Sequence, residues 1–258
     1  MDSNFYNPGI QLLNVRTAND LHPLWTHSSY SSPYWRLYWD NGPGAYVLLA
    51  GTKHELFPDK IFLIPPDTPF VGVCPGHCAQ FYIHFLASPP YDGVPPGIFS
   101  FPASHELRRT LEECLDLART DGRKIRRLTI LSHNVIFAAL SMFPESELHE
   151  RTIDARIAAV IELLTDTAAP PNNDVLAKMS GLCRNAFVRL FKLNTGESPQ
   201  GFARRKRIDE ACVLLHHSDL DIKSIAEKTG FCNRYHFSKV FKDLRGVSPA
   251  EFRNIRER

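Results

Sequence analysis

A chain of 258 residues, 43% hydrophobic and 22% charged, is long enough for two hydrophobic cores and has none of the compositional bias of a disordered or fibrous protein. It contains no apolar run of about 18 residues, which excludes a transmembrane helix of ordinary length. Net charge is only +2, but residues 152–258 carry 18 Lys/Arg against 13 Asp/Glu while residues 1–151 carry 12 against 15, so the C-terminal part suits a polyanion.

Met1 to Gln11 contains Asp2 and Pro8 and lacks the basic and apolar regions of a signal peptide, so a cytoplasmic protein is expected. Up to Pro102 the chain is a series of short apolar alternations at Tyr34–Trp39, Ala45–Leu49, Lys60–Ile64 and Ala79–Phe85. Turn signals separate them, at Asn41-Gly42-Pro43-Gly44, Pro58-Asp59, Pro65-Pro66-Asp67 and Pro75-Gly76, and the rhythm predicts a small antiparallel barrel or sandwich. Strand alternation puts Arg36 and Tyr38 on one face and Trp35, Leu37 and Trp39 on the other; Tyr82 and His84 likewise oppose Phe81, Ile83 and Phe85. If the apolar set lines the interior, Trp39 is a stacking platform for a sugar ring; if a pocket needs polar groups, Arg36, Tyr38, Tyr82 and His84 supply them.

Six cysteines (Cys74, Cys78, Cys114, Cys183, Cys212 and Cys232) are scattered, which reads as reduced thiols in a cytosol. Cys74-x3-Cys78 with His77 between them fits no common zinc spacing. His54, His77 and His84 lack the His-x-His and spaced Glu of a cupin metalloenzyme. With no activated nucleophile either, no metal, cofactor or catalytic residue is expected.

From Ser104 to Phe143 the pattern turns helical: Leu107, Leu111, Cys114/Leu115 and Ala118 recur behind Ser104 as N-cap, and a second run from Leu128 through Leu131, Val135 and Ala138/Ala139 ends at Pro144, with Gly122 between them. Glu145 to Arg151 is charged and links domains. Everything after Thr152 reads as helix punctuated by glycine.

That last part repeats itself. Leu176-Ala-Lys-Met-Ser-Gly-Leu-Cys183 matches Ile225-Ala-Glu-Lys-Thr-Gly-Phe-Cys232 at an offset of 49, and Phe187-Val-Arg-Leu-Phe-Lys192 matches Phe237-Ser-Lys-Val-Phe-Lys242 at an offset of 50. Gly196-Glu-Ser-Pro199 matches Gly246-Val-Ser-Pro249, and Phe202 matches Phe252. Each copy has a short helix, a glycine that must take positive φ after its last turn, an apolar plug (Leu182 or Phe231), and a second helix burying phenylalanines at i and i+4. Such a unit can project the outer face of its second helix into a major groove.

The second copy, from Arg207-Ile208 through Ile225-Ala226, Gly230-Phe231, Phe237, Phe241-Lys242 and Gly246-Val-Ser-Pro249, resembles the signature of AraC/XylS-type transcriptional regulators. The resemblance implies a multidomain α+β protein: residues 1–102 as a cupin-like antiparallel β-barrel, 103–150 as two linking helices, and 151–258 as an all-α domain with two helix-turn-helix units. It implies a seven-helix C-terminal domain in which a long helix, about Pro199 to His216, joins two readers that enter major-groove segments ~34 Å apart. The family pattern places base contacts at Asn185, Val188 and Arg189; Arg189 suits guanine and Asn185 adenine, while Val188 could only touch a thymine methyl. Once Phe187, Leu190, Phe191, Phe237, Val240 and Phe241 are assigned to the core, Arg184 is left for phosphate. On the second helix Arg234, Tyr235, Ser238 and Lys239 face outward, with Asn233 and His236 beside them for phosphate. Arg204-Arg205-Lys206-Arg207 is either a solvated face or a phosphate-binding run, with Arg204 and Arg205 as its candidates.

The N-terminal half is similar to the cupin-like sensor domains of the same family along Gly51–Pro69. This implies a small effector, commonly a sugar, bound near Arg36, Tyr38, Trp39, Tyr82 and His84. In the family the helices between the two parts often form a homodimer interface, here through Leu107, Leu111, Cys114 and Leu115; packing on the barrel is the alternative. The implied partners are double-stranded DNA, the effector, a second copy and bacterial RNA polymerase, with no membrane.

Overall fold

The computed structural model describes residues 8–18, 31–74, 80–119, 125–148 and 153–254. The chain divides into two compact units between Glu150 and Arg151. His77, Cys78, Gly122 and the Pro75-Gly76 turn lie outside the described residues.

The N-terminal unit contains strands β1 (Gln11–Ala18), β2 (Trp35–Asp40), β3 (Tyr46–Leu49), β4 (Thr52–Glu55), β5 (Lys60–Ile64), β6 (Val71–Val73), β7 (Gln80–Leu86) and β8 (Phe99–Pro102), then helices α1 (His105–Ala118) and α2 (Ile125–Leu140). The pairings are antiparallel and build a five-stranded sheet, β1-β7-β2-β5-β8, and a three-stranded sheet, β4-β3-β6. The four expected strands are present. The strand, turn, strand reading of Gly51–Pro69 is met by β4 and β5; β1, β6 and β8 were not expected, and a three-residue segment such as Val71–Val73 carries no alternation of its own and is held by its partner strand.

The five-stranded sheet is buried on both faces, and its two faces differ in kind. Trp35, Leu37, Trp39, Ile61, Leu63, Phe81, Ile83 and Phe85 pack beneath α1 and α2, which contribute Leu111, Cys114, Leu115, Val135, Ile136, Ala139 and Leu140. On the other face Tyr38, Phe62, Ile64 and Tyr82 join Ala45, Val47, Leu56, Phe70 and Cys74. Residues 103–150 are therefore not a separate linking segment. The helices are the lid of the sheet, and Leu111, Cys114 and Leu115 are spent on that internal contact, which corrects their expected role at a dimer interface. Burial pushes the Cys114 thiol up to about 12. Ser104 caps α1 as expected, its Oγ accepting from the Leu107 N–H at 3.2 Å.

The C-terminal unit contains, among its described residues, seven helices: α3 (Ala155–Asp166), α4 (Asn173–Met179), α5 (Arg184–Thr195), α6 (Pro199–His217), α7 (Ile222–Lys228), α8 (Arg234–Arg245) and α9 (Pro249–Asn254). Asn172, Ser198 and Asp221 cap α4, α6 and α7 through their side-chain oxygens. Pro199 opens α6 at its first turn, where its missing N–H has no partner to lose. Two cores form. Phe187, Phe191, Phe202 and Ala203 join Ile157, Val160, Leu164 and Leu176 in the first. The second combines Phe237, Phe241 and Phe252 with Ile208, Ala211, Cys212, Leu215, Ile225 and Ala226. The turn glycines take the expected left-handed conformation, Gly181 at φ +67° and Gly230 at φ +75°.

Phe241 is fully buried, with the Phe237 and Phe252 rings 5.6 and 5.3 Å away. Phe241→Ala is expected to lose ~3–5 kcal/mol of C-terminal-unit stability. Urea unfolding followed by circular dichroism checks this; a loss below about 1 kcal/mol would mean the second core does not close around this ring.

Candidate nucleic-acid interface

Each recognition helix buries one stripe and leaves the opposite stripe in water. On α5, Phe187 and Phe191 are fully buried, and Arg184, Asn185, Arg189 and Lys192 are exposed. Val188 was expected to face outward, but it is half-buried and packs against the first core, because its position turns toward α5's neighbours rather than away from them. Arg189, Lys192 and Leu193 border an open groove of about 780 Å³ with Arg156 and Leu182, and Leu193 is 81% exposed. Lys192 and Leu193 escaped the sequence reading, which ended the outward stripe at Arg189.

On α8, Phe237, Val240 and Phe241 are buried, and Arg234, Tyr235 and Lys239 are exposed, Tyr235 at 87%. Ser238 is half-buried. A second groove, of about 650 Å³, brings together Arg234, Tyr235, Ser238, Asn233 and Cys232 with Lys223 and Glu227 of α7. Lys223 was not singled out, since an isolated lysine in a short helix carries no signal until the fold sets it beside α8.

The expected phosphate contacts separate into two groups. Arg184 is exposed and pairs loosely with Asp174 at 3.3 Å, a contact that a phosphate can replace at little cost. Arg204 is exposed. Asn233 caps α8, its Oδ1 accepting from the His236 N–H at 2.8 Å, and the His236 ring lies near Phe231 with Nδ1 3.6 Å from Cys232 Sγ. Arg205 does not belong to this set. Its guanidinium bonds Glu197 at 2.7 and 2.8 Å and Asp209 at 3.2 Å, so its charge is committed inside the unit. Lys206 lies over the Phe202 ring, and Arg207 lies over Phe231 while donating to the Gly230 carbonyl at 3.0 Å. Burial draws the Arg207 guanidinium down from its ordinary range. The densest basic run thus leaves Arg204 as its residue in water.

In the N-terminal unit, parity resolves the two readings of the sheet. Trp39 faces α1 and α2, with its indole N–H donating to the Pro58 carbonyl at 3.0 Å, so it is not on the face that holds the polar candidates. Those form one row of cross-strand pairs: Arg36 with His84, Tyr38 with Tyr82, and Asp40 with Gln80. All six are buried. Arg36 bonds Ser32 and sits 5.2 and 5.1 Å from the Tyr34 and Phe70 rings. Gln80 donates to Asp40 at 2.9 Å. Asp40 and Gln80 were missed because they sit at strand ends, Asp40 closing β2 and Gln80 opening β7. Among the described residues no group of three or more His, Cys, Asp or Glu is arranged to hold a metal.

Two repeated helix-turn-helix units on a shared long helix define the class: a double helix-turn-helix domain. A helix-turn-helix domain model matches residues 176–255. The chain is 27% identical over 144 residues to the arabinose operon regulatory protein of Escherichia coli K12, covering 55% of this chain and 49% of that protein. It is 34% identical over 109 residues to the transcriptional activator RhaS of Escherichia fergusonii, covering 42% of this chain and 39% of the relative. The chain spans about half or less of the length of these curated relatives. In overall fold it is similar to ToxT of Vibrio cholerae O395, with TM-score 0.56 and 15% identity over 96% of this chain and 98% of the other. A structure of wild-type ToxT from strain SCE256 with an unsaturated fatty acid bound is similar too, with TM-score 0.57 and 13% identity over 98% of each chain. The chain thus carries a helix-turn-helix domain over residues 176–255 and is similar in sequence to regulators of the AraC and RhaS type.

Arg189→Ala is expected to weaken binding to a selected DNA site by ~1–3 kcal/mol and to relax preference at one base position. Quantitative mobility shifts on base-substituted sites check this, and an equal loss on selected and random DNA would reassign Arg189 to phosphate. In the other unit, burial pushes the Asp40 carboxyl up from 3.8 to about 7, with the Gln80 hydrogen bond lowering it less. The folded unit holds this proton more tightly than the unfolded chain, so stability falls as pH rises from about 4 to about 7 and then levels. Asp40→Asn should flatten that dependence, which is on the order of a few kcal/mol, in urea midpoints compared between mildly acidic and mildly basic buffer.

Proposed function

We propose that this protein is a sequence-specific DNA-binding transcriptional regulator whose binding responds to a small molecule held in its N-terminal unit. The single observation carrying the first half is the pairing of two outward faces, Asn185/Arg189/Lys192 and Arg234/Tyr235/Lys239, on two copies of one buried frame. Both faces offer cations and amide or hydroxyl groups, the chemistry that meets phosphates and base edges. Arg184 and Arg204 supply phosphate contacts, joined by Lys223. Names among the matched relatives, an operon regulator and a transcriptional activator, agree with this reading.

The second half rests on the buried row from Arg36/His84 to Asp40/Gln80. A packed interior has no need of a guanidinium, an imidazole, two phenols, a carboxyl and an amide on one face, and buried polar groups of this kind are hydrogen-bonded or serve a ligand. The effector is accordingly a small polar molecule: a sugar, as in the arabinose regulator's name, or a carboxylic acid, the class bound in the ToxT structure. A second copy and RNA polymerase complete the set of partners. The second copy would have to meet a surface other than Leu111, Cys114 and Leu115.

Binding to DNA is expected to fall steeply with salt through counterion release, with log affinity declining linearly against log salt and a slope set by the phosphates contacted. Fluorescence anisotropy on a site selected from random duplexes checks this; a flat response sinks DNA binding as the function. Thermal-shift screening of sugars and carboxylic acids tests the effector, and hits should weaken in Arg36→Lys.

A further inference from the structure

Four charged side chains alternate in sign across the C-terminal unit. Glu197, just after α5, accepts from Arg205 on α6 at 2.7 and 2.8 Å; Arg205 donates to Asp209 at 3.2 Å; and Asp209 also accepts from Arg245, the last residue of α8. Side-chain exposure falls from 35% at Arg205 and 29% at Glu197 to 15% at Asp209 and 8% at Arg245, so solvent screens the α8 end least.

The internal repeat supplies a control. Thr195 stands in the first copy where Arg245 stands in the second, and Val247 stands where Glu197 does. Each copy folds on the same Gly, Phe and Ser-Pro frame without the other's charge, so neither charge is needed to build a single unit. The copies differ at the positions that join them. Their turn glycines differ in the same way: a Cβ on Gly230 would lie 1.9 Å from the Ala168 carbonyl oxygen, between α3 and α4, whereas nothing lies within 4 Å of such an atom on Gly181. Close approach of the two copies is thus built in at two places, a backbone seam and a chain of charges.

We propose that the Glu197–Arg205–Asp209–Arg245 chain is a strut that fixes the separation and twist of α5 relative to α8, with Asp209 as the positioning residue that sets the spacing between the two DNA boxes the protein reads. The spacing role rests on the DNA-reading function above; the strut itself does not. Adding one base pair between boxes moves one relative to the other by ~3.4 Å and ~34°. Units free to rotate would absorb that change, and a strut penalises it.

Spin labels on the exposed Cys183 and Cys232, one in each copy, report the separation directly in the full chain with Cys78→Ser; Cys74, Cys114 and Cys212 are buried. Pulsed dipolar spectroscopy should give a narrow distribution in the parent and broad ones in Asp209→Asn and in Glu197→Gln, the latter being the milder change if the former lowers the melting temperature. On a site selected from random duplexes by the full chain, the parent should lose affinity roughly tenfold more than Asp209→Asn when one base pair is inserted between boxes, and Asp209→Glu should restore the parent's discrimination. Unchanged distance distributions in both variants overturn the strut. An equal loss by Asp209→Asn at every spacing overturns its role in spacing and leaves a general contribution to stability. Broadened distributions in a protein that selects no DNA would uphold the strut and remove the DNA-reading function instead.

Discussion

Helix α6 is shared by two hydrophobic cores. Its first turns bury Phe202 and Ala203 among α3, α4 and α5, and its later turns bury Ile208, Ala211, Cys212 and Leu215 among α7, α8 and α9. A helix that must satisfy two cores in succession has no continuous apolar stripe, and the stretch between the two patches is where its charges lie. That position accounts for the unusual use of the basic run at Arg204–Arg207. Arg205, Lys206 and Arg207 sit where the copies meet, so their stems and charges are drawn onto Phe202, Phe231, Glu197 and Asp209 rather than left for an external anion. Charge density along a sequence is thus a poor guide to which cations face a ligand when the run crosses a seam.

A comparable division governs the N-terminal unit, where one sheet serves two environments. Its apolar face is covered by α1 and α2, which frees the opposite face from supplying most of the hydrophobic burial. Polar groups are tolerated there because neighbours meet them: Gln80 donates to Asp40, Arg36 bonds Ser32 and lies over the Tyr34 and Phe70 rings, and the His84 ring lies against Tyr34 and Tyr82. Burial at that face raises the Asp40 carboxyl, because the charged form loses its water there. A ligand competing for such a face meets groups already stripped of water, which sharpens discrimination between molecules that can and cannot bond them.

Most of the C-terminal fold was legible because its signals are local and doubled. Glycine at the turn, phenylalanines at i and i+4, and Ser-Pro at the next helix start each have a backbone or packing cause, and their recurrence excluded coincidence. The long helix reached His217 against an expected His216. In the N-terminal part strand parity was legible, including the separation of Arg36 and Tyr38 from Trp39, but which face lay inside was not. That depends on where α1 and α2 dock, a long-range fact with no trace in the strands. Val188 and Arg205 were misjudged for the same reason: a helical wheel gives the angle of a side chain and says nothing about a neighbouring element that fills the space beside it.

The frame also explains how the two copies could diverge. Burial, capping and turn geometry consume the phenylalanines, the glycines and the Ser-Pro pairs, and these are the positions the copies share. Outward positions are under no such constraint, and there Asn185 in the first copy is replaced by Tyr235 in the second, and Leu193 by Asp243. A tyrosine 87% exposed on one helix and an amide on the other cannot prefer the same base edges, since one offers a ring and a hydroxyl and the other a paired donor and acceptor. Under the proposed DNA-reading function, one frame with two unlike faces calls for an asymmetric target for each chain. On that proposed function, symmetry in a longer target would have to be supplied by a second chain, since the repeat within one chain does not supply it.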